Sequence, residues 1–290
     1  MKNILRKLFR SKNNLNHNEK SFLEIKKKTK VAEIFKAISN YNNSSEIRYI
    51  GGCVRKILNN EKIDDIDLAT NIKPEEVKEC LKINNIDFFE TGIAHGTITA
   101  RIDEQNFEIT SLRKDISTDG RHALVEFTNK WSEDALRRDF TINSIYADQE
   151  GNLFDPNEGV KDLKSGKIEF IGNVEKRIKE DYLRILRYIR FFLNYSKQKH
   201  KLKVKKIIKQ NISGVSKLSK ERLIDELKKI VSSNGFINIC DDEFCKEILI
   251  LIFPQLKNIN ILKKLKKNFK EDIFKKDFIF LLSLLIIDDT

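Results

Sequence analysis

Little in this sequence suits an oxidising compartment or a bilayer. There are four cysteines, Cys53, Cys80, Cys240 and Cys245. None is paired as C-x-x-C and no histidine stands near them at zinc-finger spacing, so they read as reduced thiols of a cytoplasmic protein. No apolar run reaches the ~18 residues a membrane span needs. The longest, FIFLLSLLII at 278–287, reads as a buried helix. The first residues, MKNILRKLFRSKNN, scatter cations through a short apolar stretch and offer no small-residue cleavage site, which makes a poor signal peptide. Proline is scarce as well. Pro74, Pro156 and Pro254 are the whole complement, each at the edge of a predicted element, and no internal repeat is visible.

Acidic residues are outnumbered: 55 Lys and Arg face 43 Asp and Glu, a net charge of +12 over 290 residues. An excess of this size suits a polyanionic partner, because each neutralised phosphate releases counterions. The chain is also rich in Lys, Asn and Ile, which a coding bias produces by itself, so charge alone does not settle the partner. The length suggests two or more modules.

After a basic extension over residues 1–20, apolar residues Phe22, Ile25, Val31, Ile34, Phe35 and Ile38 predict a helix over 21–41. Short strand-like and helix-like segments then alternate. RYI precedes Gly51-Gly52, a helix is expected around 54–58, DDIDLA reads as a strand, and a helix follows Pro74 to about Ile83. Further strands are expected at 97–103, 107–112 and 124–128, with DEQN at 103–106 as a hairpin turn between the first two. Beyond Asp155-Pro156 the strand signals fade and the chain reads as helical.

The chemically informative cluster is Asp65-Ile66-Asp67. On a strand, residues two apart share a face, so Asp65 and Asp67 project together while Ile66 turns to the core. Two such carboxylates repel unless a divalent cation sits between them, and Mg²⁺ favours oxygen ligands together with substrate phosphates. A D-x-D by itself is also common in surface turns. Upstream, Gly51-Gly52 allows backbone N–H groups to approach phosphate oxygens at the start of a short helix, with Arg55 one turn inside. Glu108, on the same strand face as Thr110, is the candidate for a third acid.

The order of these pieces resembles class II tRNA nucleotidyltransferases and the related bacterial poly(A) polymerases, of the polymerase-β-like superfamily. The matching segments are IGGCVRKILNNEKIDDIDLAT (50–70), EITSLRKDISTDGRHALVEFT (108–128), EDALRRDFTINSIYAD (133–148) and RIKEDYLRILRYIRFF (177–192), and with the LFDPNEGVKDL link the likeness spans residues 45–230. The resemblance implies an α+β head with a small mixed sheet and helices, followed by an all-α neck and body. It places the head at 21–156, the neck at 157–217 and the body at 218–290. It makes Asp65 and Asp67 the catalytic metal ligands and assigns Gly51, Gly52 and Arg55 to the triphosphate. Arg138, Asp139 and Asn143 would contact triphosphate and ribose. Residues 115–122 would form the loop associated with the change from C to A addition. The family usually reads G-G-x-V-R-D, and here the last position is Lys56. Members generally continue through more helices, so the body is expected to be truncated. The metal-phosphohydrolase H-D clusters that some relatives append are missing, and no second catalytic activity is expected.

The segment Glu180-Asp181-Tyr182-Leu183-Arg184 suggests how a base is chosen without a template. Read as one helix, Asp181 and Arg184 face the same way, and the plain alternative is an ion pair worth roughly 0.2–0.5 kcal/mol. An acceptor beside a donor complements the Watson–Crick edges of cytosine and adenine. Guanine and uracil would leave facing acceptors unpaired. In the family this E-D-x-x-R motif serves as an amino-acid template. Arg187 and Arg190 would extend a basic stripe opposite Ile185, Leu186 and Ile189. Lysine-rich faces further on, around LSKERLIDELKKI at 218–230, would grip an RNA backbone.

The expectation is therefore addition of C, C and A to the tRNA 3′ end from CTP and ATP, with Mg²⁺ as cofactor. The partners are tRNA and the two nucleotides, with neither DNA nor a membrane. A poly(A) polymerase or a partial CC- or A-adding enzyme is the alternative within the family. A catalytically impaired RNA-binding remnant is the alternative outside it.

Overall fold

The computed structural model describes residues 17–118, 123–264 and 277–286. The chain divides into two compact units: one holds the residues up to Ser117 and Leu124–Lys161, the other Thr118–Ala123 and Asp162 onward.

The first unit is built on a seven-stranded sheet. Its helices are α1 (His17–Lys28), α2 (Val31–Ser39), α3 (Gly52–Leu58), α4 (Pro74–Ile83) and α5 (Trp131–Arg137). Its strands are β1 (Ile47–Ile50), β2 (Asp67–Thr70), β3 (Asp87–Gly92), β4 (Thr97–Ile102), β5 (Gln105–Ser111), β6 (Arg113–Thr118), β7 (Ala123–Phe127), β8 (Tyr146–Ala147) and β9 (Leu153–Phe154). The sheet order is β3-β4-β5-β2-β1-β8-β9, and β6 and β7 pair separately. β2 and β5 run parallel, with Asp67 opposite Glu108. β1 and β2 are antiparallel, as are β4 and β5.

β5 alternates, with Phe107 and Ile109 buried and Glu108 exposed, whereas β2 is buried on both faces beyond Asp67, its Ala69 entering a second cluster with Ile50, Leu112, Trp131, Ala135 and Tyr146. Leu68, Phe107 and Ile109 enter a core with Tyr49, Ile98, Val54, Ile57, Val77 and the apolar stripe of α2. Each fully buried aliphatic of this kind stabilises by about 1.5–3 kcal/mol relative to exposure. Phe22 and Phe35 bracket the Tyr49 ring at centroid distances of 5.2 and 4.8 Å.

The helix read over 21–41 is two helices. Thr29 donates its hydroxyl to the Ile25 carbonyl at 2.8 Å and accepts the Val31 N–H at 3.4 Å, and the chain restarts there. The apolar period continues across the break because both helices cover the same core. The DEQN segment does form a tight hairpin, with Ile102 paired to Gln105 and Asp103 at φ 53°. Strands β3, β6, β8 and β9 have no counterpart in the sequence reading. Two of them are only two residues long, too short to show a period.

In the second unit the helices are α6 (Gly159–Ser165, which begins in the first), α7 (Val174–Glu180), α8 (Leu183–Tyr195), α9 (Leu202–Asn211), α10 (Lys220–Val231), α11 (Glu243–Ile252) and α12 (Phe278–Ile286). α8 is the spine. It buries Ile185, Leu186, Tyr188, Ile189, Phe191 and Leu193. Its last turn is fastened by Asn194, whose Nδ2 donates to Ser233 Oγ at 2.9 Å while its Oδ1 accepts the Gly235 N–H at 2.9 Å. Arg190 Nε donates to the buried Glu226 at 2.6 Å, tying α8 to α10. No helix among the described residues is long and apolar enough to cross a membrane.

Candidate active site

β1 ends in Gly51, whose φ of +67° only glycine adopts readily. The turn also lies within van der Waals reach of an acid. A Cβ on Gly52 would lie 3.7 Å from Asp67 Oδ2, and one on Gly51 would lie 3.9 Å from an Arg138 Nη and 4.0 Å from the same carboxylate oxygen. The two glycines, Asp67 and Arg138 therefore share one small region.

Asp67 opens β2 and Glu108 faces it across the parallel register. Burial pushes the Asp67 carboxyl above its ordinary value and Glu108 pushes it further; Arg138 acts the other way, Asp65 raises it and Arg55 lowers it. Four of the predicted site residues are thus electrostatic neighbours of one carboxylate. Asp65 differs from the expectation. The strand begins at Asp67, and Asp65 lies exposed in the extended segment before it. Ile66 does pack against the core, so the alternation holds even though the ladder has not started.

Arg55 is buried and donates to Asn143 Oδ1. Asn143 Nδ2 donates in turn to Asp139 Oδ1 at 2.9 Å, which also accepts the Phe140 N–H at 2.9 Å. This chain of contacts joins α3 to the RRDFTIN segment and fixes which edge of the Asn143 amide faces Arg55.

Arg138 is held from behind by Asp134, a residue the sequence reading passed over. Asp134 is 1% exposed and accepts from Arg138, Arg137 and the Tyr146 hydroxyl. Burial alone would raise its carboxyl, and the Arg138 and Arg137 charges overcome this to hold it well below the usual carboxylate range. The clue was present: Asp134 stands four residues before Arg138 in EDALRRDF, the spacing of a helical ion pair.

Lys56, where the family carries an acid, pairs with Asp64 through Nζ–Oδ2 at 2.7 Å. The local charge pairing of α3 is met by an acid from the segment leading to the D-x-D.

In the second unit the E-D-x-x-R segment is not one helix. Asp181 closes α7 and α8 starts at Leu183. Asp181 Oδ1 accepts the Leu183 N–H at 3.1 Å, and its Oδ2 takes Arg222 Nη2 at 2.8 Å. Arg184 is buried and donates to Glu180 Oε2 at 2.7 Å and to the Arg177 carbonyl at 2.6 Å. The ion pair of the plain alternative does not form, because an aspartate can satisfy the free N–H groups of a new helix, and it does so here at the break. Two arginines of the expected basic stripe have partners within the unit. Arg190 is engaged with Glu226, and Arg187 lies over the Phe191 ring at 5.5 Å. Arg222, in the first turn of α10, could not be linked to Asp181 by any local spacing. Of the loop expected at 115–122, residues 119–122 lie outside the described residues.

A sheet that carries a half-buried acid beside a glycine turn, backed by arginines at the end of a following helix, defines a nucleotidyltransferase type of head. Residues 47–169 match the poly A polymerase head domain. The human CCA tRNA nucleotidyltransferase 1, mitochondrial, is 48% identical over 192 residues, covering 65% of this chain and 44% of that protein. The CCA-adding enzyme of Lactobacillus helveticus is 36% identical over 228 residues, covering 73% and 55%. The crystal structure of the Bacillus stearothermophilus CCA-adding enzyme in complex with CTP shares the fold, with a TM-score of 0.63 at 23% identity over 87% of this chain and 68% of that one. Residues 47–169 thus resemble a poly A polymerase head, and the chain as a whole is similar in sequence to CCA tRNA nucleotidyltransferases. It spans about half the length of the curated relatives it matches.

Proposed function

We propose that this chain adds C, C and A in turn to the 3′ end of tRNA, using CTP and ATP and releasing pyrophosphate. The observation that carries the proposal is the placement of Asp67 opposite Glu108, against the Gly51-Gly52 turn and near Arg138. Nucleotidyl transfer in this family implies a divalent metal, and the residues fit one. The donors are all carboxylate oxygens, and the repulsion felt by Asp67 is what a cation would relieve. We assign Mg²⁺ to Asp65 and Asp67, with Glu108 as the third acid. When bound, it would make the attacking 3′-hydroxyl more acidic and neutralise charge on the departing pyrophosphate.

The protein's own part is positioning. Backbone N–H groups at Gly51 and Gly52, with Arg55 and Arg138, would receive the triphosphate oxygens. Asp139 and Asn143, already oriented by their mutual hydrogen bond, would face the ribose. In the second unit, Asp181 as acceptor and Arg184 as donor would read cytosine or adenine and reject bases that place a carbonyl opposite Asp181. Arg222 enters that reading as the residue that orients Asp181. Arg187 is assigned to the same nucleotide. The division into head, neck and body at 21–156, 157–217 and 218–290 belongs to the same proposal. So does a cytoplasmic location; the three vertebrate relatives carry "mitochondrial" in their names, and fractionation distinguishes the two.

The test is incorporation into a tRNA transcript ending at the discriminator base, with Mg²⁺ and each nucleotide singly or CTP and ATP together. The proposal requires growth by three nucleotides only in the mixture, and by two with CTP alone. A long ladder from ATP alone identifies a poly(A) polymerase. Binding without extension identifies an RNA-binding remnant.

A further inference from the structure

His200, Asp242 and Cys245 meet in the second unit, and none of them is among the residues assigned to nucleotidyl transfer. Their ligand atoms all lie within 4.8 Å of one another. His200 Nε2 is 2.9 Å from Asp242 Oδ2 and 3.7 Å from Cys245 Sγ. A tetrahedral zinc ion with Zn–N and Zn–O near 2.0–2.1 Å and Zn–S near 2.3 Å separates its ligands by about 3.3–3.6 Å. His200 Nε2 stands close to that spacing from both of the other ligand atoms.

Helix capping accounts for part of this arrangement. Asp242 is the N-cap of α11 and accepts the Cys245 N–H at 2.8 Å, which fixes the two ligands three residues apart. Capping does not account for the thiol, which meets an imidazole nitrogen, or for His200, which arrives from the loop before α9. Cys53 shows the ordinary alternative, a buried thiol whose hydrogen-bond partners are the carbonyls of Ile50 and Asp67.

The surroundings are those of an oriented ligand. His200 Nδ1 lies 2.9 Å from the Tyr188 hydroxyl, the outer partner that fixes a metal-binding imidazole's rotation and tautomer. The ring stacks on Phe192 with centroids 3.5 Å apart and meets Phe244 edge-on at 4.7 Å. Asp242 keeps 20% of its side-chain surface exposed, so an ion has a route in and a water can complete its shell.

We infer that His200, Asp242 and Cys245 form a zinc-class structural metal site that fastens the start of α11 to the α8–α9 connection. A nitrogen, an oxygen and a sulfur donor together favour zinc over magnesium or calcium. A thiol binds zinc as the thiolate, so occupation of the site would release the Cys245 proton to solvent.

The experiment uses the whole chain, reduced and stripped by chelator, titrated with Co²⁺ and then Zn²⁺. One equivalent of Co²⁺ should give a thiolate-to-cobalt charge-transfer band, which all-oxygen ligands at Asp65 and Asp67 cannot produce. Zn²⁺ should displace it and raise the thermal midpoint. Cys245→Ser should remove the band. Asp242→Asn, which keeps a capping side chain, should weaken binding by about 10–100-fold. A missing band in the unsubstituted protein, a band that survives Cys245→Ser, or unchanged affinity in Asp242→Asn overturns the site. Should Cys245→Ser fail to fold, the Asp242→Asn titration decides.

Discussion

Arg138 donates from both Nη2 and Nε to the same oxygen of Asp134, at 3.0 and 3.2 Å, and the Tyr146 hydroxyl reaches that oxygen at 2.6 Å. The other oxygen of Asp134 takes Arg137 Nε at 2.8 Å. One buried carboxylate thus aims the arginine that lies beside the Gly51 turn.

Removing that carboxylate should cost both stability and activity. Asp134→Ala removes the buried carboxylate shared by two arginines and should destabilise by about 3–5 kcal/mol, read from denaturant unfolding. Asp134→Asn should cost less. The folded carboxyl titrates below its unfolded value near ~3.9, so its contribution is present above that pH and is lost as the pH falls. The advantage of the wild type over Asp134→Asn should therefore be full at neutral pH and shrink below about pH 4. An advantage independent of pH would mean that Asp134 acts by shape alone.

Asp67 should show opposed effects on stability and catalysis. In chelator, Asp67→Asn removes a like charge facing Glu108 and should stabilise by a few tenths of a kcal/mol up to ~1, seen as a higher melting temperature. The same change should lower nucleotide incorporation by more than the ~100-fold typical of losing an outer-shell partner. Asp65→Asn should match the loss of activity without the gain in stability, because Asp65 is exposed ahead of the strand. Equal activity in Asp65→Asn and the wild type would remove Asp65 from the metal site.

Arg222 offers a test of base selection away from the motif itself. Arg222→Ala frees Asp181 Oδ2 and should raise misincorporation of UTP and GTP by at least about tenfold, with total incorporation less affected. Unchanged selectivity would leave the Arg222–Asp181 contact as a brace between α10 and the α7–α8 turn.

The pair Arg190 and Glu226 should prove structural. Glu226 is 2% exposed, and Glu226→Ala should cost about 3–5 kcal/mol by removing the buried carboxylate that Arg190 Nε donates to. Glu226→Gln keeps an acceptor and should recover part of it. A cost below ~1 kcal/mol in both would place the pair in the class of screened surface bridges.

The sequence by itself determined what depends on near neighbours. The Gly51-Gly52 turn, the alternation that buries Leu68 and Ile109, the 103–106 hairpin and the helix after Pro74 all follow from periods of two or three to four residues and from turn chemistry. The apolar run from Phe278 does form a helix, but it is not the buried one expected: only Leu281 and Leu285 are buried, and Ile279, Phe280 and Ile286 are exposed. Motif order carried the family. The tertiary structure alone decided which distant groups meet: Glu108 opposite Asp67, Arg222 on Asp181, Arg55 on Asn143, and His200 beside Cys245. It also overruled a local reading at Asp181, where the chain breaks its helix and spends the carboxylate on a free N–H and a remote arginine. Periodicity records which face a residue turns toward the core, and it holds no information on which element will pack against that face.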